Sequence, residues 1–103
     1  MKKFNLEKLY NKLKLRIKSG DENSYTIKLM NNPKLLYKKI REEAGELTES
    51  KNKNQVIWEA SDLLYFVTVL LVKRDVKFKK VFEKLEERNK KVKKLAKVIK
   101  RIK

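Results

Sequence analysis

The stretch "VIWEASDLLYFVTVLLV", residues 56–72, decides the fold. It is the most apolar part of a 103-residue chain in which 41% of the residues are charged, yet it contains Glu59 and Asp62. Apolar side chains recur here at helical rather than alternating spacing, so the stretch reads as a helix over about residues 54–73. Ile57, Ala60, Leu64, Val67 and Leu71 form its expected core line. Glu59 and Asp62, three residues apart, share one side of that helix. Their neighbours Trp58, Ala60, Leu63 and Leu64 imply burial, and a buried carboxylate must be compensated.

On the amino-terminal side, Pro33 suits the first turn of a second long helix, which runs to about Ser50 with Leu36, Ile40, Ala44 and Leu47 on its apolar stripe. Asn52 to Asn54 is a polar break. Leu6, Tyr10, Leu13 and Ile17 mark an earlier amphipathic helix over about 3–18, ended by Ser19, Gly20 and Asp21. Between these helices Tyr25 to Met30 reads as a loop holding one or two helical turns, bounded by Gly20 and by Asn31-Asn32-Pro33. On the carboxyl-terminal side a helix begins near Val76 or Lys77. Phe78, Leu85, Val92 and Ile99 fall seven apart, with Val81, Leu95 and Ile102 three residues after three of them and Arg88 the one interruption. Such a heptad pattern expects another helix alongside. No strand pattern is present.

These readings give an all-α helical bundle of about four main helices in a single domain, residues 1–103, with a basic helical extension over about 90–103. A chain this short buries only about 60–65% of the surface its unfolded form exposes, so completion by homodimerisation is expected.

Composition narrows the chemistry. The chain has no Cys and no His, which excludes disulfides, thiolate metal sites, imidazole ligands and Ser-His or Cys-His nucleophilic systems. Twenty-nine basic residues against thirteen acidic ones give a net charge of +16, which attracts phosphate-rich partners: nucleotides, nucleic acid or an anionic membrane. The basic tail lacks an aromatic stacking platform, which makes nucleic acid the weaker of these partners. The run Leu63 to Val72 is about half the length that spans a bilayer, and the amino terminus lacks the apolar core of a signal peptide. A cytoplasmic protein with no membrane span is expected.

In "IREEAGELTES", residues 40–50, Glu42, Glu46 and Glu49 fall within about 60° of the helix circumference, and Glu43 lies between them and the apolar stripe. Glu49 is expected to be solvated. If the short Lys51 to Asn54 connection folds the two long helices antiparallel, these acids converge with Glu59 and Asp62. Converging carboxylates raise one another's pKa unless a multivalent cation sits among them, and an all-oxygen set selects Mg2+ first and Mn2+ next. The alternative for each acid taken alone is a solvated ion pair with a helical neighbour.

The pattern Glu42-Glu43-x-x-Glu46 followed after twelve residues by Glu59-x-x-Asp62 resembles the signature of the all-α nucleoside triphosphate pyrophosphohydrolases, the MazG-like superfamily. Together with "SYTIKL" at 24–29, "KIREEAGE" at 39–46, "EASDLLYFVTVLL" at 59–71 and "VFEKLEERN" at 81–89, the chain resembles the phosphoribosyl-ATP pyrophosphohydrolase family from about Gly20 to Asn89. The resemblance implies that Glu42, Glu43, Glu46, Glu59 and Asp62 hold Mg2+ and that Glu43 or Glu46 acts as base. It implies phosphate contacts from Lys28 and Lys39, and a substrate held with help from Ser24, Tyr25 and Thr26. The reaction implied is cleavage of the α–β phosphoanhydride of phosphoribosyl-ATP, giving phosphoribosyl-AMP and pyrophosphate, in a homodimeric enzyme. The chain departs from the family pattern at Arg41, where members carry Gly, and at Phe66, where they carry His. The competing readings are a pyrophosphohydrolase for another nucleoside triphosphate and a basic helical nucleic-acid-binding protein.

Overall fold

Five α-helices follow one another in the computed structural model: α1 Leu6–Ser19, α2 Tyr25–Asn31, α3 Pro33–Thr48, α4 Lys53–Lys73 and α5 Phe78–Ile102. The structure describes residues 3–21 and 23–102, the side chains at 94, 96–98 and 100–102 excepted. Among the described residues there is no strand. Lys103 of the expected extension and the side chain of the heptad residue Ile102 lie outside what is described.

Local chemistry starts and stops most of these helices. Asn5 and Asn52 cap α1 and α4, their side-chain oxygens accepting from the backbone N–H of Lys8 and Gln55, each at 2.8 Å. Gln55 Oε1 in turn accepts from the backbone N–H of Lys51 at 3.0 Å, a reciprocal arrangement close to a capping box. Asn32 caps α3 ahead of Pro33. Gly20 ends α1 in the left-handed region at φ 70°, which glycine adopts without strain. Asp75 takes the same region, φ 54°, in the turn after α4.

The segment over 25–31 is a helix in its own right, so the bundle has one element more than the four expected. Seven residues make too short a helix to persist alone. Thr26 and Leu29, three residues apart, are almost completely buried, and it is packing against α1, α3 and α4 that holds α2 in shape. The core gathers Leu13 of α1, Leu29 of α2, Leu36 of α3, and Phe66 and Val69 of α4. Around it, Lys73 Nζ donates to the carbonyl of Met30 at 2.8 Å and the Arg74 guanidinium to the Tyr37 hydroxyl at 2.7 Å, tying the end of α4 back to α2 and α3.

The inner face of α4 is not the expected one. Ile57 is 67% exposed and Leu64 43%, whereas Phe66, Thr68 and Val69 are buried. At about 100° per residue Phe66 and Val69 lie well away from the line of Ile57 and Leu64, while Thr68, also fully buried, falls on that line, so the second half of α4 is enclosed on more than one side. A helix apolar on nearly every side has no periodicity that selects a face, so the neighbours decide. Here α3 is the principal neighbour, and it draws the acid-bearing side inward. By length and composition α4 would also suffice to cross a membrane, but in this fold it packs against α1, α2 and α3.

Among the described residues helix α5 packs chiefly on α1, through Phe78, whose ring lies edge-on to Tyr10 with centroids 6.2 Å apart. Beyond that contact the heptad residues Leu85, Val92, Leu95 and Ile99 are exposed, and among the described residues no helix packs along them. The molecule measures 61 × 34 × 31 Å with a radius of gyration of 17.5 Å. A compact domain of this length has about 13 Å.

Candidate active site

The α3–α4 hairpin is the most extensively packed pair of helices in the molecule, and its inner seam carries the acids. The connection from Glu49 to Asn52 is short because α3 closes with the Glu49 N–H on the carbonyls of Gly45 and Glu46, and Asn52 begins α4 at once. The helices therefore run antiparallel. Glu59, two turns into α4, comes level with Glu43 and Glu46, about one turn before the end of α3.

One carboxylate oxygen from each of Glu43, Glu46 and Glu59 lies within 4.8 Å of the other two. Glu43 and Glu59 are half-buried and Glu46 is exposed. While all three are ionised, Glu43 Oε2 and Glu59 Oε2 are buried and accept no hydrogen bond. A proton relieves this: shared hydrogen bonding with Glu43 and Glu46, followed by burial and by the neighbouring negative charges, pushes the Glu59 carboxyl up to about 7. A hard divalent cation would relieve it more completely, by satisfying the orphaned oxygens and neutralising the charge together. The donor set is all oxygen and suits Mg2+ or Mn2+.

The remaining residues singled out in the sequence separate into groups. Asp62 is half-buried one turn after Glu59, outside the trio. Glu42 faces Lys39 at 3.3 Å and Lys38 at 3.8 Å, and through that hydrogen bond it raises the pKa of the Lys39 ammonium. Glu49 is exposed and serves the end of α3. Lys28 is exposed on the last turn of α2. Thr26 is buried, and its hydroxyl shares a 2.7 Å hydrogen bond with that of Tyr65, which fixes α2 to α4. Ser24 precedes α2 without capping it, and Tyr25 is 46% exposed.

Phe66 sits in the core with its ring edge-on to both Tyr25 and Tyr65, at centroid distances of 6.3 and 5.2 Å. It packs on Tyr25 of α2 one turn beyond Asp62. Arg41 is exposed. Sequence reasoning overlooked Tyr65, although it closes the quoted "DLLY". It also overlooked Lys12 and Arg16, which stand beside Ser24 and Tyr25 in a cleft between α1 and α2. Their four-residue spacing on one face of α1, just ahead of "SYTIKL", was the available signal.

The family model described as phosphoribosyl-ATP pyrophosphohydrolase matches residues 6–89. The chain is 48% identical over 80 residues to a histidine biosynthesis trifunctional protein of Saccharomyces cerevisiae, a match covering 78% of this chain and 10% of the yeast protein. It is 38% identical over 92 residues to the phosphoribosyl-ATP pyrophosphatase of Clostridium novyi, covering 84% of this chain and 83% of that one. It is 41% identical over 91 residues to the histidine biosynthesis bifunctional protein HisIE of Caldanaerobacter subterraneus, covering 84% of this chain and 44% of the relative. The chain thus spans about a tenth of the length of the fungal trifunctional relatives it matches.

Proposed function

Because the chain belongs to the phosphoribosyl-ATP pyrophosphohydrolase family, we propose that it hydrolyses phosphoribosyl-ATP to phosphoribosyl-AMP and pyrophosphate, a step of histidine biosynthesis, with Mg2+ between α3 and α4. The observation that carries this reading is the convergence of Glu43, Glu46 and Glu59 with two buried, unpartnered oxygens, inside the matched segment. Those three residues would hold the ion, with Asp62, one turn after Glu59 on α4, as a further ligand, while Glu42 is engaged with Lys38 and Lys39. When bound, Mg2+ neutralises charge on the phosphate oxygens of the substrate and of the leaving pyrophosphate. Glu46, the exposed member of the trio, is accessible to water and takes the proton of the attacking molecule as its oxygen bonds to the α-phosphorus. Lys39, kept charged beside Glu42, donates to a phosphate oxygen. A chain carrying +16 overall draws the polyphosphate toward this acidic seam.

The same proposal includes a homodimer acting in the cytoplasm. Ile57 and Leu64 on the outer side of α4, and Leu85, Val92 and Leu95 on α5, are exposed apolar side chains on helical stripes, as expected of surfaces that pack on a second copy.

The test is pyrophosphate release from phosphoribosyl-ATP by the purified chain. Release that stops on chelation and returns with Mg2+ is expected. Metal-independent release, or an Asp62→Asn and Glu59→Gln protein as active as the parent, would sink the site. Turnover of dNTPs with none of phosphoribosyl-ATP would transfer the chemistry to another nucleotide.

A further inference from the structure

Lys12 and Arg16 stand one turn apart on α1, and the chain reverses at Gly20 so that the start of α2 returns beside them. Between the two helices lies an open cleft of about 800 Å³, lined by Lys12, Arg16, Ser19, Asp21, Ser24 and Tyr25. Two of its polar groups are already engaged: the Ser19 hydroxyl donates to the carbonyl of Arg16 at 2.6 Å, and Asp21 Oδ1 accepts from the backbone N–H of Asn23 at 3.0 Å. The Lys12 ammonium is 5.4 Å from the centre of the Phe4 ring. Among the described residues, no salt bridge involves Lys12 or Arg16. The cleft therefore offers an ammonium, a guanidinium and a serine hydroxyl to an anion, with Asp21 the one opposing charge among the described residues that line it.

Tyr25 connects this cleft to α4, the helix that carries Glu59 and Asp62. On one side it lines the cleft. On the other its ring packs edge-on to Phe66 of α4, one turn after Asp62.

We propose that the α1–α2 cleft is a phosphate-monoester subsite, in which Lys12 and Arg16 receive the phosphate of the substrate's phosphoribosyl group while the triphosphate lies at the carboxylates; this rests on the function proposed above. The chemistry of discrimination requires such a place. ATP carries the same triphosphate, so only the phosphoribosyl group distinguishes the substrate from it, and that group's phosphate is its strongest handle. A guanidinium binds a phosphate through two parallel N–H···O bonds, which suits Arg16 to the role and makes lysine an incomplete substitute.

The experiment compares the parent with Arg16→Ala, Arg16→Lys and Lys12→Ala in steady-state hydrolysis of phosphoribosyl-ATP, using ribose 5-phosphate as a competing probe. Loss of a charge-assisted hydrogen bond predicts a KM about tenfold or more higher for Arg16→Ala with kcat nearly unchanged, and partial recovery in Arg16→Lys. Ribose 5-phosphate should compete in the parent and lose its effect in Arg16→Ala, while inhibition by pyrophosphate stays the same. Because both side chains are at the surface, helical content by circular dichroism should match the parent. An active parent with unchanged KM in the variants, or ribose 5-phosphate inhibition that persists in Arg16→Ala, overturns the subsite and leaves the function standing. A parent that releases no pyrophosphate from phosphoribosyl-ATP removes the function and the subsite together.

Discussion

Glu59 combines the two conditions that shift a carboxyl most: carboxylate neighbours from another helix and burial within an apolar stretch. Its raised pKa sets the sign of a pH effect on the metal-free chain. Between the ordinary value of 4.5 and about 7 the folded state holds a proton that the unfolded state has released, so stability falls as pH rises through this window. Melting temperatures of the chelated protein should therefore decline from pH 5 to pH 7.5. Glu59→Gln, which cannot ionise, should flatten that decline. Adding Mg2+ at pH 7.5 should restore the parent and leave the variant nearly unchanged. In the activity assay Glu59→Gln is expected to lower kcat/KM by about a hundredfold, since even outer-shell partners of a bound metal typically cost roughly 10–100-fold. At this scale the sequence marked five acids, Glu42, Glu43, Glu46, Glu59 and Asp62, and the structure brings carboxylate oxygens of three of them together, Glu43, Glu46 and Glu59. That Glu42 turns to Lys38 and Lys39 was not legible, because adjacent positions on a helix differ by about 100° and only the neighbouring helix defines inward.

Helix α4 sets the height of Glu59 against α3, and its register begins at the Asn52 cap and the Gln55 return bond. Asn52→Ala should destabilise the protein by about 1 kcal/mol, measured by urea denaturation, since the side-chain acceptor for the Gln55 N–H is lost. The boundaries of α1, α3 and α4 were readable because capping asparagines, Pro33 and Gly20 act locally. The helix over Tyr25–Asn31 was only partly readable, since its stability comes from burying Thr26 and Leu29 and from the Thr26–Tyr65 hydrogen bond, both of which need partners distant in the chain. The face of α4 could not be read from its periodicity either. Val, Leu and Ile occupy almost every side of that helix, and the side that turns inward is the one carrying two acids and Phe66.

The whole molecule leaves apolar residues exposed along α5 and the outer side of α4, and it is more extended than a chain of 103 residues needs to be. If these surfaces pack on a second copy, light scattering should give twice the 12.4 kDa chain mass. Ile57→Asp or Leu85→Asp should then shift the species toward the monomer, because each places a charge in an apolar contact. An unchanged monomer mass for the parent would count against the dimer. The sequence by itself determined the all-α class, most of the helix limits and the oxygen-only character of the acidic set, since these depend on backbone propensity, capping and residue type. Only the tertiary structure decided which carboxylates meet, which side of α4 is inner, and that Lys12 and Arg16 stand beside Tyr25. Those are distances between parts of the chain far apart in sequence, set by how helices pack rather than by any pattern within one of them.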